Sequence, residues 1–148
     1  MTPRIAVQTG DFDPGREIAK LEAAASGAIA SFCGTVRGGH GLVALQIERF
    51  PGMTEAALNA IAAEAVDRWP LHGATVIHRH GRLATGERIV FVGTASAHRE
   101  AAIAAMHFII DRLKTDAPFW KCEEYADGRR EWVAARSEDD RTRQRWEE

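Results

Sequence analysis

The sequence predicts an α+β fold, and three observations carry that expectation. Segments with helical spacing of apolar residues alternate with short apolar or two-residue-period runs. The strand-like runs include hairpin-like neighbours, one pair flanking an Asp-Gly turn signal. No internal repeat, linker or low-complexity stretch divides the 148 residues, so one domain over 1–148 is expected, with 137–148 as a charged tail.

The elements follow in chain order. Ile5–Gln8 is a first strand. Asp13-Pro14 predicts a helix start, because Asp accepts free N–H groups and Pro is preset for the first turn. Ile18, Leu21 and Ala25 form that helix's inner stripe, and Gly27 its stop. Ala28–Val36, apolar on both faces, predicts a central strand. Val43, Leu45 and Ile47 alternate with Ala44, Gln46 and Glu48, which predicts a strand with one wet face. The Gly-rich loop Arg37–Gly41 joins the two and is expected to be mobile. After a Pro51-Gly52 turn, Leu58, Ile61, Ala62, Ala65, Val66 and Trp69 recur at helical spacing until Pro70.

Ala74–His78 and Arg88–Ala95 predict two strands, divided by turn residues around Thr85-Gly86. Ser96 is the expected cap of a third helix. Its buried seam is Ile103, Met106, Ile110 and Leu113, and it ends near Lys114–Asp116 ahead of Pro118. Phe119–Tyr125 and Arg130–Val133 flank Asp127-Gly128 and predict a C-terminal hairpin. Ser137–Glu148 is a charged tail with Trp146 as its anchor.

The totals narrow the function classes. A net charge of -2, with 45% hydrophobic and 27% charged residues, is ordinary for a globular protein and argues against nucleic acid as partner. The longest mostly apolar stretch, Ala101–Ile110, is half of what a membrane helix needs, and the N-terminus has no leader pattern. Cys33 and Cys122 form no close pair, which predicts two reduced thiols in the cytoplasm. His78 and His80 share a strand face with no third ligand nearby, so neither a metal nor a cofactor is expected. His40 and His72 are expected to face solvent and His107 to be packed.

Three segments concentrate cations. His98 and Arg99 stand at a predicted helix start, where positive charge opposes the helix dipole and a bound anion would relieve the conflict. Lys114 and Lys121 bracket Pro118, Phe119 and Trp120. Aromatic walls there can hold a flat ring and dehydrate a lysine. Two-residue periodicity puts Lys121 and Glu123 on one strand face and turns Cys122 away. Arg37 ends an apolar strand beside flexible glycines, a place suited to phosphate or carboxylate. Taken alone, the His98-Arg99 and Arg37 segments read better as solvated surface charge, and the Lys114–Lys121 segment divides evenly between the two readings.

Taken in order, the segments resemble the large, catalytic subunit of molybdopterin synthase. The pieces are Phe32–Arg37, Phe50–Glu55, Arg68–Pro70, Val76–Arg79, Gly86–Gly93, Ser96–Arg99 and Leu113–Lys121. The resemblance implies an α/β-hammerhead arrangement and an enzyme of molybdenum-cofactor synthesis. Such an enzyme converts cyclic pyranopterin monophosphate to molybdopterin. The two sulfurs come from the C-terminal Gly-Gly thiocarboxylate of a small ubiquitin-like subunit. It further implies a homodimer at the centre of a heterotetramer.

By position, the resemblance makes Lys114 and Lys121 catalytic. It makes Thr35, Val36, Arg37, His98, Arg99, Lys114, Lys121, Cys122 and Glu123 the substrate-site residues. The sequence departs from the family in a short Arg37–Leu42 loop and in Cys122, which replaces an expected basic residue.

One expectation is geometric. If Ala97–Lys114 is a single helix, His98 and Lys114 lie about 24 Å apart at roughly 1.5 Å per residue. Both can reach one small substrate only if a two-fold dimer brings one chain's His98 and Arg99 to the other's Lys114 and Lys121.

Overall fold

The computed structural model describes residues 1–22, 26–133 and 146. Among these, the elements run β1 (Arg4–Gln8), α1 (Pro14–Glu22), β2 (Ala28–Thr35), β3 (Leu42–Arg49), α2 (Met53–Arg68), β4 (Leu71–Arg79), β5 (Gly81–Ala84), β6 (Arg88–Ser96), α3 (Arg99–Asp116), β7 (Phe119–Tyr125) and β8 (Arg130–Trp132). The fold is α+β, as the sequence predicts.

Two four-stranded sheets form. The first has the order β1-β4-β6-β2, and only its β1–β4 pair is parallel. The second, antiparallel throughout, has the order β5-β3-β7-β8.

Alternation along the central strands assigns the two faces of the first sheet. Ala74 and Val76 of β4 and Val92 of β6 meet Leu58, Ala62 and Ala65 of α2 and Ala105, Phe108 and Ile109 of α3 in the main core. Ile77 and Phe91, one residue out of phase, meet Phe12 and Ile18 beneath α1. Leu21 of α1 lies close over this second face, at Gly73 and Gly93. A Cβ on Gly93 would come within 2.6 Å of Leu21 Cδ1 and 2.9 Å of the Phe91 ring, so the close approach requires glycine.

Several expectations are corrected. Ala28–Val36 does not hold a central strand: β2 is an edge of the first sheet, with Ser31, Phe32 and Cys33 exposed. Apart from Ile29, Phe32 and Thr35, its run is small Ala, Ser, Cys and Gly residues, whose exposure costs little, so apolarity overstated its burial. In β3 the inward residue near the start is Ala44, and Val43 faces out. The β3–β7 register shifts between Leu42 and Ala44 and reverses the alternation there.

β5 was not foreseen. It occupies the stretch before Thr85-Gly86 and pairs with β3, so β4 and β6 are joined through a strand of the other sheet.

Ser96 does not cap the third helix. It ends β6, where its hydroxyl donates to the Pro70 carbonyl at 2.8 Å, and His98 takes the N-cap position. The seam of α3 is shifted by one residue from the expected one. Ala102, Ala105, Phe108 and Ile109 are buried, and Ile103 is half exposed, because the small alanines let the helix lie close against Thr94. His107 is exposed rather than packed; it pairs with Asp111 at 3.4 Å and meets the edge of Trp146.

The predicted tail lies outside the described residues except Trp146, as does Ala25 of the first helix. Trp146 is anchored as expected: its indole donates to Asp111 at 2.6 Å, and its ring packs on Trp69 and Phe108.

Candidate active site

The C-terminal end of α3, the following turn into β7 and the α2/α3 face of the first sheet enclose a cavity of about 430 Å³. Its walls are mostly apolar: Phe32 of β2, Ile89, Val90 and Val92 of β6, Ile110 and Leu113 of α3, Ala117, Phe119 of β7, and Val133. Into this lining project Lys114, Thr115, Lys121 and His78.

Local chemistry explains how the two lysines converge. Lys114 lies in the last turn of α3, where the carbonyl end of the helix favours an ammonium. Ala117, with φ -84° and ψ 123°, ends the helix ahead of Pro118 and turns the chain into β7. The buried hydroxyl of Thr54 fixes that turn. It donates to the Pro118 carbonyl at 2.8 Å and accepts the Phe50 N–H at 2.9 Å. Two residues into β7, Lys121 then faces the same side as Phe119, opposite Ile47 of β3. Lys114 is exposed at the rim and Lys121 is half-buried; beside apolar walls a lysine attracts an anion more strongly than in open water.

The remaining residues expected at the site are distributed as follows. Cys122 points away from Lys121, as strand alternation predicts, and is 2% exposed. Glu123 shares the Lys121 face but does not line the cavity; its carboxylate accepts the Tyr125 hydroxyl at 3.0 Å. Thr35 and Arg37 are exposed at the end of β2. Val36 between them is buried against Ile47 and Leu83, its N–H bonded to the Glu87 carbonyl at 2.9 Å. His98 and Arg99 are exposed at the far end of α3, and no side chain caps that end. Within one chain the fold brings Lys114 and Lys121 together and leaves His98 and Arg99 a helix length away.

A family model described as MoaE protein matches residues 7–116. The molybdopterin synthase catalytic subunit of Mesorhizobium japonicum is 49% identical over 150 aligned residues, covering 99% of this chain and 94% of the relative. The chain belongs to the MoaE family. Molybdopterin cofactor biosynthesis protein E from Burkholderia multivorans superposes with a TM-score of 0.85 at 46% identity, over 99% of this chain and 97% of that one. A chain from the protein–protein complex of subunits 1 and 2 of molybdopterin-converting factor from Helicobacter pylori shares the fold, with a TM-score of 0.74 at 22% identity over 90% of this chain and 92% of that one.

In this MoaE-family chain, reading His78 and His80 as a strand-face pair passes over what the fold does with His78. The ring is 6% exposed, stacks on Phe119 with centroids 3.9 Å apart, and lines the lysine cavity. Burial, together with the nearby Lys121, lowers its pKa from 6.5 to about 4. The signal in the sequence was the stripe Ala74, Val76, His78: an imidazole continuing an apolar face of a strand buried on both sides. Among the described residues no group of three or more His, Cys, Asp or Glu could hold a metal ion, and no helix is long and apolar enough to cross a membrane.

Proposed function

We propose that this chain is the catalytic subunit of a molybdopterin synthase acting in the cytoplasm, with residues 1–148 working as one domain. It converts cyclic pyranopterin monophosphate to molybdopterin. Two sulfurs are taken from the C-terminal thiocarboxylate of a small ubiquitin-like subunit ending in Gly-Gly. The observation that carries this reading is the apolar cavity walled by both Lys114 and Lys121.

The chemistry explains why such a cavity suits the reaction. Both reactants are anions: a cyclic phosphate ester and a thiocarboxylate. A lysine at the rim of a largely apolar cavity, itself exposed to solvent, can hold the extended, negatively charged end of the carrier against the substrate carbon. Lys114 takes that position. Lys121 binds the anion or moves the proton as each sulfur is added. Opening the phosphate ring develops charge on the leaving oxygen, which nearby cations stabilise. Arg37, His98 and Arg99 hold the phosphate.

The 18-residue length of α3 supports a site shared across a homodimer. In the assembly the dimer carries one small subunit at each end. Thr35, Val36, Cys122 and Glu123 shape the two binding segments, with Cys122 structural.

The test is to combine the chain with thiocarboxylated small subunit and cyclic pyranopterin monophosphate and to look for the dithiolene product by mass. Product carrying two sulfurs is expected. Tight partner binding without sulfur transfer would reduce the chain to a docking scaffold. Phosphate release without sulfur incorporation would make it a hydrolase.

A further inference from the structure

His78 brings to the cavity a hydrogen-bonding chemistry that neither lysine has. Its Nδ1 lies 2.8 Å from the Arg79 carbonyl. A carbonyl oxygen only accepts, so the proton is on Nδ1, and in the neutral ring Nε2 carries a bare lone pair. No donor among the described residues reaches Nε2. That nitrogen is also not sealed in: the one fully enclosed side-chain polar atom without a partner among the described residues is Nε of Arg112. His78 lines the cavity, and with Nδ1 engaged by the backbone, Nε2 is the ring nitrogen left available to a ligand there.

The surroundings hold this arrangement in place. The stack on Phe119, tilted by only 20°, fixes the plane of the ring. The Arg79 side chain locks the strand end. Its guanidinium donates to the Thr9 carbonyl at 2.9 and 3.1 Å and to the Arg88 carbonyl at 3.0 Å. Burial, with the positive charge of Lys121 nearby, disfavours protonation, so Nε2 remains an acceptor at neutral pH. The cavity thus offers two cations for anionic groups and one preset, oriented acceptor.

We propose that His78 is a substrate-recognition residue, its Nε2 accepting a hydrogen bond from a ring N–H or amino group of the pterin seated beside Lys114 and Lys121. The inference rests on the proposed synthase activity and deepens it. The lysines recognise charge, which any phosphorylated or carboxylated molecule carries. His78 recognises a donor on the ring, which selects a nitrogen heterocycle among those anions. A buried acceptor left unmatched penalises ligands that lack the donor.

The experiment uses the complex with thiocarboxylated small subunit, cyclic pyranopterin monophosphate as probe, and ¹⁵N-labelled histidine. Saturating pterin is expected to move the His78 Nε2 resonance upfield from its unprotonated position, the signature of a donor engaging the lone pair. His78→Phe, which keeps the ring on Phe119, is expected to raise KM for the pterin about tenfold, with kcat changed less and KM for the small subunit unchanged. His78→Gln, which restores an oxygen acceptor, is expected to recover most of the loss.

If His78→Phe does not fold, His78→Asn keeps a donor for the Arg79 carbonyl while removing the acceptor from the cavity, and should show the same KM effect. An Nε2 resonance that stays put at saturating pterin overturns the proposal. So does a folded His78→Phe or His78→Asn protein whose KM for pterin matches the parent. Wild type that forms no dithiolene product sinks the synthase reading itself. Active wild type with an unmoved Nε2 sinks only the role of His78.

Discussion

The two ends of α3 carry cations under opposite physical conditions. At the C-terminal end, Lys114 is also exposed but lies where the helix dipole welcomes positive charge, and the turn at Pro118 folds Lys121 and Phe119 back to complete a cavity wall beside it. At the N-terminal end, His98 and Arg99 stand against the dipole, exposed, with no side chain capping the helix. One end builds a cavity from its own chain. The other presents basic side chains that no described residue encloses or pairs with. An end of the first kind can bind alone, whereas an end of the second kind calls for an anion held by something else. On the proposed reading, that is a substrate seated in the other subunit's cavity.

The comparison can be broken most decisively at Lys114. Lys114→Ala is expected to lower kcat for dithiolene formation by about 10²–10⁴-fold, while binding of the small subunit survives. Steady-state assays with mass detection read the effect, and a near-parental rate would remove the lysine end from the chemistry. The sharing of the site is tested by mixing His98→Ala chains with Lys114→Ala chains. Random two-fold dimers leave about a quarter of the shared sites intact, so about a quarter of the parental rate should return. Proven mixing without recovery would show that the two ends serve separate sites.

A smaller effect belongs to His78 and is read in stability against pH. Its folded pKa of about 4 lies below the ordinary 6.5, so the unfolded chain binds the proton first as pH falls. The neutral ring's contribution is intact above about pH 6.5. Stability then declines down to about pH 4, by about 3 kcal/mol in total. Chemical denaturation from pH 7 to 4 should show that decline, and His78→Phe should remove it. The smallest effect concerns the turn that delivers Lys121. Thr54→Val strands the part-buried Phe50 N–H and Pro118 carbonyl, and should cost about 1–3 kcal/mol in denaturant melts.

The sequence made the helices, the hairpin and most of the strands legible because their signals are local. Pro14, Pro70 and Pro118 set helix limits, Asp127-Gly128 set the turn, and Leu58 to Ala65 repeat at helical spacing. What it hid depends on pairing across the chain. Ala28–Thr35 looks like a core strand until the sheet order places it at an edge. Gly81–Ala84 becomes a strand only because β3 offers it a partner. The one-residue offset in the α3 seam arises because alanine, which contributes little to an apolar pattern, packs closest of all.

The same limit applies to the site. Lys114 and Lys121 are separated by a single turn, so their convergence could be anticipated from sequence. His78 comes from β4, far away in the chain, and only the folded structure, through its stack on Phe119 and its place in the cavity lining, shows that it belongs with them.

Because α3 is a continuous helix from Arg99 to Asp116, it acts as a rigid ruler with a fixed phase. Adding or deleting one residue within it would shift one end by about 1.5 Å and rotate it by roughly 100° relative to the other. Lys114 would swing out of the cavity, or Ala102 and Ala105 would leave the sheet. Changes of chain length in this protein are therefore expected in loops such as 37–41, and the helix should keep its residue count however far its surface diverges.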